Sequence, residues 1–365
     1  MALSCGIVGS AKAGKTTIFN ALTASSAEVG GFTGASSDPN IGQAQVPDPR
    51  LADLGRVFKS KKITPTTLQF VDVAGLVRGS SRGGGLGNQF LAHIREVDAV
   101  VHVVRCFDDP NVPHEEGSVD PVRDAETVNL ELALADLSAV ERRMERTIKL
   151  ARSGDAPARK LMEVLERLKA VLEEGRFAAQ AEVRPEEAPL LSDLFLLTVK
   201  PVIYVANVDE AGLDPGHPHA SALEALAARE GRACLRICGK VEAEMALLPE
   251  ADRQEFMAAY GLSESGLSKL IHAAFSSLDL MTFLTAGEKE TRAWTIARGT
   301  RAPQAAGKIH SDLERGFIRL EVYSYEDWVA CSRDEKKVKE RGLYRSEGRD
   351  YVMREGDVCL FRFNV

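Results

Sequence analysis

A chain of 365 residues, 44% hydrophobic and 27% charged, is long enough to bury a sizeable core and suggests two or three domains. Its net charge of −7 argues against a nucleic-acid binder working through overall charge, so DNA is not an expected partner and any basic face must be local. The six cysteines are scattered without a CxxC pair, which points to a reducing cytoplasm; the start MALSCGIVGS has no export pattern, and no run approaches a membrane span.

The first apolar run, SCGIVG at 4 to 9, reads as a strand, and TTIFNALTA after it reads as a helix. Between them Gly9, Gly14, Lys15 and Thr16 satisfy G-x-x-x-x-G-K-[ST]. In that context the glycines let backbone N–H groups turn onto a β-phosphate at a helix N-terminus. Lys15 is then placed to span the β- and γ-phosphates, and the Thr16 hydroxyl to ligate Mg2+. Residues 30 to 49, GGFTGASSDPNIGQAQVPDP, fit either a mobile switch or an ordinary flexible loop. The run TLQFVDVAG at 67 to 75 closes on Asp72 and D-x-x-G, which sets a carboxylate near the metal and the Gly75 amide near the γ-phosphate.

Further runs at AVVHVVRCF (99 to 107), PVIYVAN (201 to 207) and CLRIC (234 to 238) alternate with helical segments. The alternation predicts an α/β fold with a mostly parallel sheet, helices on both faces and a ligand site at the carboxyl ends of the strands. Between them, residues 123 to 197 carry Leu130, Leu134, Leu137, Met144, Ile148 and Ala151 at spacings of three and four. SGDAP then breaks the helix, and Leu161, Leu165, Leu168 and Leu172 resume it, so the spacing predicts an antiparallel helical hairpin inserted in the sheet domain. Its Arg142, Arg143, Arg146, Lys149 and Arg152 form a local basic stretch that either meets RNA phosphates or is simply solvated.

NVDE, Asn207 to Glu210, stands where GTP-binding proteins of this fold carry N-K-x-D. Val208 replaces the lysine that stacks on the base, and Glu210 the aspartate that pairs with guanine. ATP over GTP is the expectation, with Asp209 as the alternative reader after a one-residue shift. From about 281 the pattern becomes short strands, RAWTI, FIRLEVYS and DYVMREGDVCLFRF, with Glu355-Gly356-Asp357 read as a hairpin turn. The expected domains are therefore 1–122 with 198–280, the insertion 123–197, and a small α+β domain at 281–365.

These motifs, with the long runs PNIGQAQVPDPRL, FVDVAGLVRGSSRGGGLGNQFLAHIRE and APQAAGKIHSDLERGFIR, give a chain that closely resembles the Obg-like ATPases of the YchF family. The resemblance implies a P-loop G domain, a helical arm and a C-terminal TGS domain of β-grasp type. It also implies slow hydrolysis of ATP in preference to GTP, Mg2+ and association with ribosomes or ribosomal RNA. Carried over residue by residue, the nucleotide site comprises Gly9, Ser10, Ala11, Lys12, Ala13, Gly14, Lys15, Thr16, Thr17, Gly75, Asn207, Val208 and Glu210, with Cys238 and Gly239 at the end of the CLRIC run.

Leu76 takes the place of a water-orienting glutamine, and the loop histidine favoured in the family corresponds to His114. Two departures stand out. Lys12 replaces the asparagine that helps hold a monovalent cation, so either its ammonium stands in for K+ or it points to solvent. Ser36 replaces the threonine that would join Thr16 and Asp72 at the metal, with Thr33 a nearby substitute. Leu76 and the altered switch leave a second reading, a GTP-binding switch or nucleotide-sensing module whose hydrolysis is incidental.

Overall fold

The structure, a computed structural model, describes residues 3–24, 39–73 and 85–364, and the chain divides into two compact units. The first unit joins the N-terminal part through Ala44 with Gln69–Leu270; the second joins Gln45–Leu68 with the part from Ile271 onward. Among the described residues no helix is long and apolar enough to cross a membrane.

In chain order the strands begin β1 (Ser4–Val8), β2 (Asn40–Gln45), β3 (Ile63–Thr64), β4 (Thr67–Asp72), β5 (Ala99–Arg105), β6 (Val202–Asn207) and β7 (Ala233–Ile237). All but β3 form one sheet in the order β2-β4-β1-β5-β6-β7. From β4 to β7 every pairing is parallel. Each residue of β1, β5 and β6 is buried, as expected of strands covered on both faces. After β1 the chain reaches β4 on one side and then β5 on the other, so the sequence order reverses at the carboxyl end of β1.

The helices α1 (Lys15–Ala24), α2 (Pro49–Val57), α3 (Gly85–Glu96), α4 (Pro121–Arg152), α5 (Ala156–Glu173), α6 (Pro218–Glu230) and α7 (Gly239–Ala246) follow the breakers in the sequence. Asp120 caps α4 by accepting from the Arg123 N–H, and Asp155 caps α5 by accepting from the Ala158 N–H, each with Pro at the first turn. One core cluster packs Phe90, Leu91 and Ile94 of α3 with Val128, Leu132 and Ala135 of α4 against Val8, Val71 and Val100. Another sets Leu223 and Leu226 of α6 and Val241 and Met245 of α7 against Val104 and Ala206.

The helical hairpin forms with much of the expected seam, Leu137, Met144 and the four α5 leucines, but with Ala133 and Val140 added and Leu130 left exposed. Leu161, Leu165, Leu168 and Leu172 are buried, each worth about 1.5–3 kcal/mol, and they meet Ala133, Leu137, Val140 and Met144 on α4. The next stripe of α4, with Val128, Leu132 and Ala135, is taken by the sheet domain, and serving two neighbours displaces the pattern. Asp136 ties down the returning chain: its carboxylate accepts from the N–H groups of Leu197 and Thr198 and from the Thr198 hydroxyl.

Residues 30–49 do not behave as one loop. Those up to 38 lie outside the described residues, but 40–45 pair as β2, and Asp48 caps α2 with Pro49 at its first turn. Gly42 admits this strand, because a Cβ there would lie 2.1 Å from the Thr23 methyl carbon.

The second unit is built on β8 (Leu280–Thr285), β9 (Thr291–Ala297), β10 (Phe317–Ser324), β11 (Arg345–Glu347) and β12 (Asp357–Phe363). With β3 they form a mixed sheet in the order β11-β10-β12-β8-β9-β3. Residues 45–68, expected within the nucleotide domain, thus belong here: Leu51 and Leu54 of α2 join Leu284, Tyr323 and Trp328 in one core. Nor is Glu355-Gly356-Asp357 a hairpin turn between two strands. The approach to β12 makes only an isolated bridge, Val352 to Arg301, and β12 lies between antiparallel β10 and parallel β8.

Candidate nucleotide site

The loop after β1 is shaped by two glycines that nothing else can replace. Gly9 has φ +150°, and a Cβ there would lie 2.1 Å from the Val103 carbonyl oxygen. Gly14 has φ +93°, and its Cβ would lie 2.1 Å from Asn207 Nδ2. Ala13 between them is fully buried, so it offers a ligand only its backbone. Lys15 opens α1 and is itself buried, its ammonium donating to the carbonyls of Gly9 (3.2 Å) and Ser10 (2.8 Å). Burial pulls its pKa down, opposed by the carboxylates of Asp72 and Glu115.

Thr16 faces out from the same turn, and its hydroxyl donates to Asp72 Oδ2 at 3.0 Å. Burial at the end of β4 raises the Asp72 pKa, while the Thr16 hydrogen bond and Lys15 pull it back. Hydroxyl and carboxylate make an all-oxygen pair beside the loop, the donor set a hard cation such as Mg2+ prefers. Ser36, Thr33, Gly75 and Leu76 lie outside the described residues.

Asn207 connects the phosphate side to the base side. Its Nδ2 donates to the Ala13 carbonyl at 2.8 Å, and its Oδ1 accepts from the Gly239 N–H at 3.0 Å, both buried. Glu210 is exposed and pairs with Lys240 at 3.0 Å. Asp209, by contrast, accepts from the Gly212 N–H within its own turn, at 2.8 Å. Val208 and Cys238 point into the core with Val104 and Ala206, so neither presents its side chain to the site. Lys240 escaped the sequence reading, although it directly follows Gly239 where α7 begins.

Lys12 is the one member of the loop that breaks its backbone rule, with φ +60° in the left-handed region that asparagine tolerates better than lysine. Its ammonium neither turns onto the loop nor stands free: it donates to the Pro113 carbonyl at 3.4 Å. The next residue, His114, is not a solvated loop histidine. Its Nδ1 accepts from the Glu116 N–H at 3.1 Å, which leaves the proton on Nε2 to bond Asp124 Oδ2 at 2.7 Å. Arg123 grips the other Asp124 oxygen. A small cavity lined by Ser10, Ala11, His114 and Asp124 puts this pair beside the phosphate loop. Asp124 was unforeseen; its signal is a capped helix start ten residues after the histidine.

Comparison with known proteins identifies the relatives of the whole chain. Residues 4–143 match a family model described as "50S ribosome-binding GTPase", and residues 280–364 match the model of the YchF GTPase C-terminal region, described as a protein of unknown function. The chain is 46% identical over 365 residues to a protein of Escherichia coli O157:H7 named "Ribosome-binding ATPase YchF", covering all of both chains. It is 47% identical over 367 residues, again covering both chains fully, to the Bacillus subtilis (strain 168) protein of the same name. The solved Schizosaccharomyces pombe YchF GTPase superposes with a TM-score of 0.87 at 33% identity, covering 99% of this chain and 97% of that one.

Proposed function

The chain belongs to the YchF family of P-loop NTPases, and from that premise we propose that it is a cytoplasmic, ribosome-associated ATPase that slowly transfers the γ-phosphoryl group of ATP to water. The observation that carries the chemistry is the convergence of Lys15, Thr16 and Asp72 at the carboxyl ends of β1 and β4. Thr16 and Asp72 would hold Mg2+, with Ser36 a further candidate. The metal's contribution is to neutralise charge on the β- and γ-phosphates. Lys15, already bonded to two loop carbonyls, adds a phosphate oxygen as its third acceptor. Backbone N–H groups from Ser10 to Thr17 would supply the rest of the cradle.

ATP rather than GTP follows from Glu210. Glu210 is one methylene longer than the aspartate that pairs bidentately with guanine N1–H and N2–H2, so it cannot keep that geometry, while its carboxylate can accept from the 6-amino group of adenine. Asp209, the alternative reader, is turned back onto the Gly212 N–H of its own turn, whereas Glu210 is held by an exposed lysine, Lys240, on the neighbouring helix. With Leu76 apolar, His114 is the proposed group that orients the attacking water, a role that requires its Nε2–H to turn from Asp124 to the water when nucleotide binds, since both ring nitrogens are otherwise engaged. Lys12 is tied to the loop that carries His114 through the Pro113 carbonyl, so to act on the phosphates its ammonium would have to leave that carbonyl and turn onto the phosphate loop. In this reading the charge of Lys12 replaces K+.

The test is equilibrium titration of ATP and GTP analogues, with Mg2+, on one scale. ATP is expected to bind more tightly, and Lys15→Ala to lower turnover by about 100- to 1000-fold. Tighter GTP binding would transfer base reading to Asp209 and favour the switch reading.

A further inference from the structure

We propose that the root of the helical hairpin carries a second binding site, for single-stranded RNA, formed by an arginine pocket with Phe195 as a stacking platform at its rim. The proposal names the RNA contact of the ribosome association proposed above and rests on that reading for its setting. Its geometry stands on its own.

The pocket has a volume of about 360 Å3 and is lined by Arg95 from the end of α3, by Arg142, Arg143 and Arg146 of α4, and by Asp193 and Phe195 on the returning chain. Among its lining residues a single carboxylate faces four guanidinium groups, and Asp193 is spent on Arg143 at 2.7 Å. Glu141, which in sequence dilutes the basic stretch, is drawn away to Lys169 on α5 at 3.0 Å. Arg143 also holds its Nε–H buried with no acceptor among the described residues. A buried donor left unmet is unfavourable unless a ligand oxygen completes it. Planar donor forks converging on one cavity match phosphate oxygens.

Phe195 points to the chemistry of that phosphate's carrier. It is 62% exposed, and its backbone sits at φ +47°, a left-handed conformation that is strained for a bulky residue. The ring stands exposed at the edge of the cationic pocket, and it also borders an apolar pocket with Leu168, Ala178 and Leu196. That setting suits a base stacked on the ring with its phosphate among the arginines. Such a base must be unstacked from its own strand, which selects single-stranded RNA or a loop over duplex. Lys149 and Arg152 continue the positive track along α4 for the adjoining phosphates.

The experiment is fluorescence anisotropy of a labelled single-stranded oligoribonucleotide of about 12 nucleotides with the full chain, at roughly 50 and 200 mM salt. Arg142→Ala and Arg146→Ala are each expected to weaken binding and to lower the salt slope by about 0.7. Phe195→Ala should weaken it about 5- to 150-fold, the range for one stacked base, with Phe195→Tyr restoring it. Basal ATP turnover should stay unchanged in all four variants. Loss with the arginine variants but none with Phe195→Ala would mean a general anion patch and overturn the site, as would equal affinity for duplex RNA. Binding that responds to none of the variants would do the same. Ribosome cosedimentation is scored separately: its absence in the parent chain, with oligonucleotide binding intact, would overturn the ribosomal setting and leave the RNA site standing.

Discussion

Asn207 shows how much one side chain can organise. Its amide is the buried joint between the phosphate loop and the start of α7, and Gly14 is a glycine because that amide leaves no room for a Cβ. Asn207→Ala would strand the Ala13 carbonyl and the Gly239 N–H, at about 1–3 kcal/mol each. The expected result is a loss of nucleotide affinity of at least about tenfold, for ATP and GTP alike, with a lower melting temperature. Titration and thermal melting would check this, and a change in base preference alone would contradict the joint. Lys12 works the other way: it accepts an unfavourable backbone angle and puts its charge on the loop that bears His114.

At the scale of elements, the central strand β5 hides a titratable group. His102 lies beside Tyr204 with ring centroids 5.3 Å apart, and burial drives its pKa from the usual 6.5 down to about 3, helped by Arg232 and Lys15. The folded chain therefore keeps His102 neutral where the unfolded chain would take up a proton. The stability this contributes is complete above pH 6.5 and is lost as pH falls towards 3. At pH 5 the loss amounts to about 2 kcal/mol. Denaturant unfolding at pH 7.5 and 5 would measure it, and His102→Gln should shrink the difference between the two by that amount. An unchanged difference would assign the acid sensitivity elsewhere. The hairpin adds an element-scale lesson of its own, because α4 serves α5 with one stripe and the sheet domain with another.

Across the whole molecule, the least local feature is the excursion of residues 45–68 into the second unit. Besides Leu51 and Leu54, it contributes Asp53, which accepts from the Tyr325 hydroxyl at 2.7 Å and from Arg333 at 2.8 Å. Arg50 adds an ion pair with Glu355 at 2.6 Å. Leu54 is fully buried in that core, so Leu54→Ala should cost about 2–5 kcal/mol. Hydrogen exchange should then accelerate in β8, β10 and the helix that carries Trp328, rather than in the first sheet. Acceleration confined to residues 45–68 would mean the segment is only an appendage.

The sequence by itself determined the phosphate loop, the five parallel strands and the existence of the hairpin. Each is written in contiguous residues whose spacing directly reflects a local geometry: glycines at positive φ, apolar runs between breakers, proline after a capping aspartate. It also located the NVDE motif directly after β6, because that motif is contiguous. Tertiary structure alone decided the rest. Val208 and Cys238 went to the core, Asp124 and Lys240 came to the site, and Ala133 and Val140 joined the seam while Leu130 stayed exposed. Strand β3, of two residues, is a strand only because β9 lies beside it, more than two hundred residues away. Such outcomes depend on which partner buries which face, and the partner is distant in sequence, so no local pattern encodes the choice.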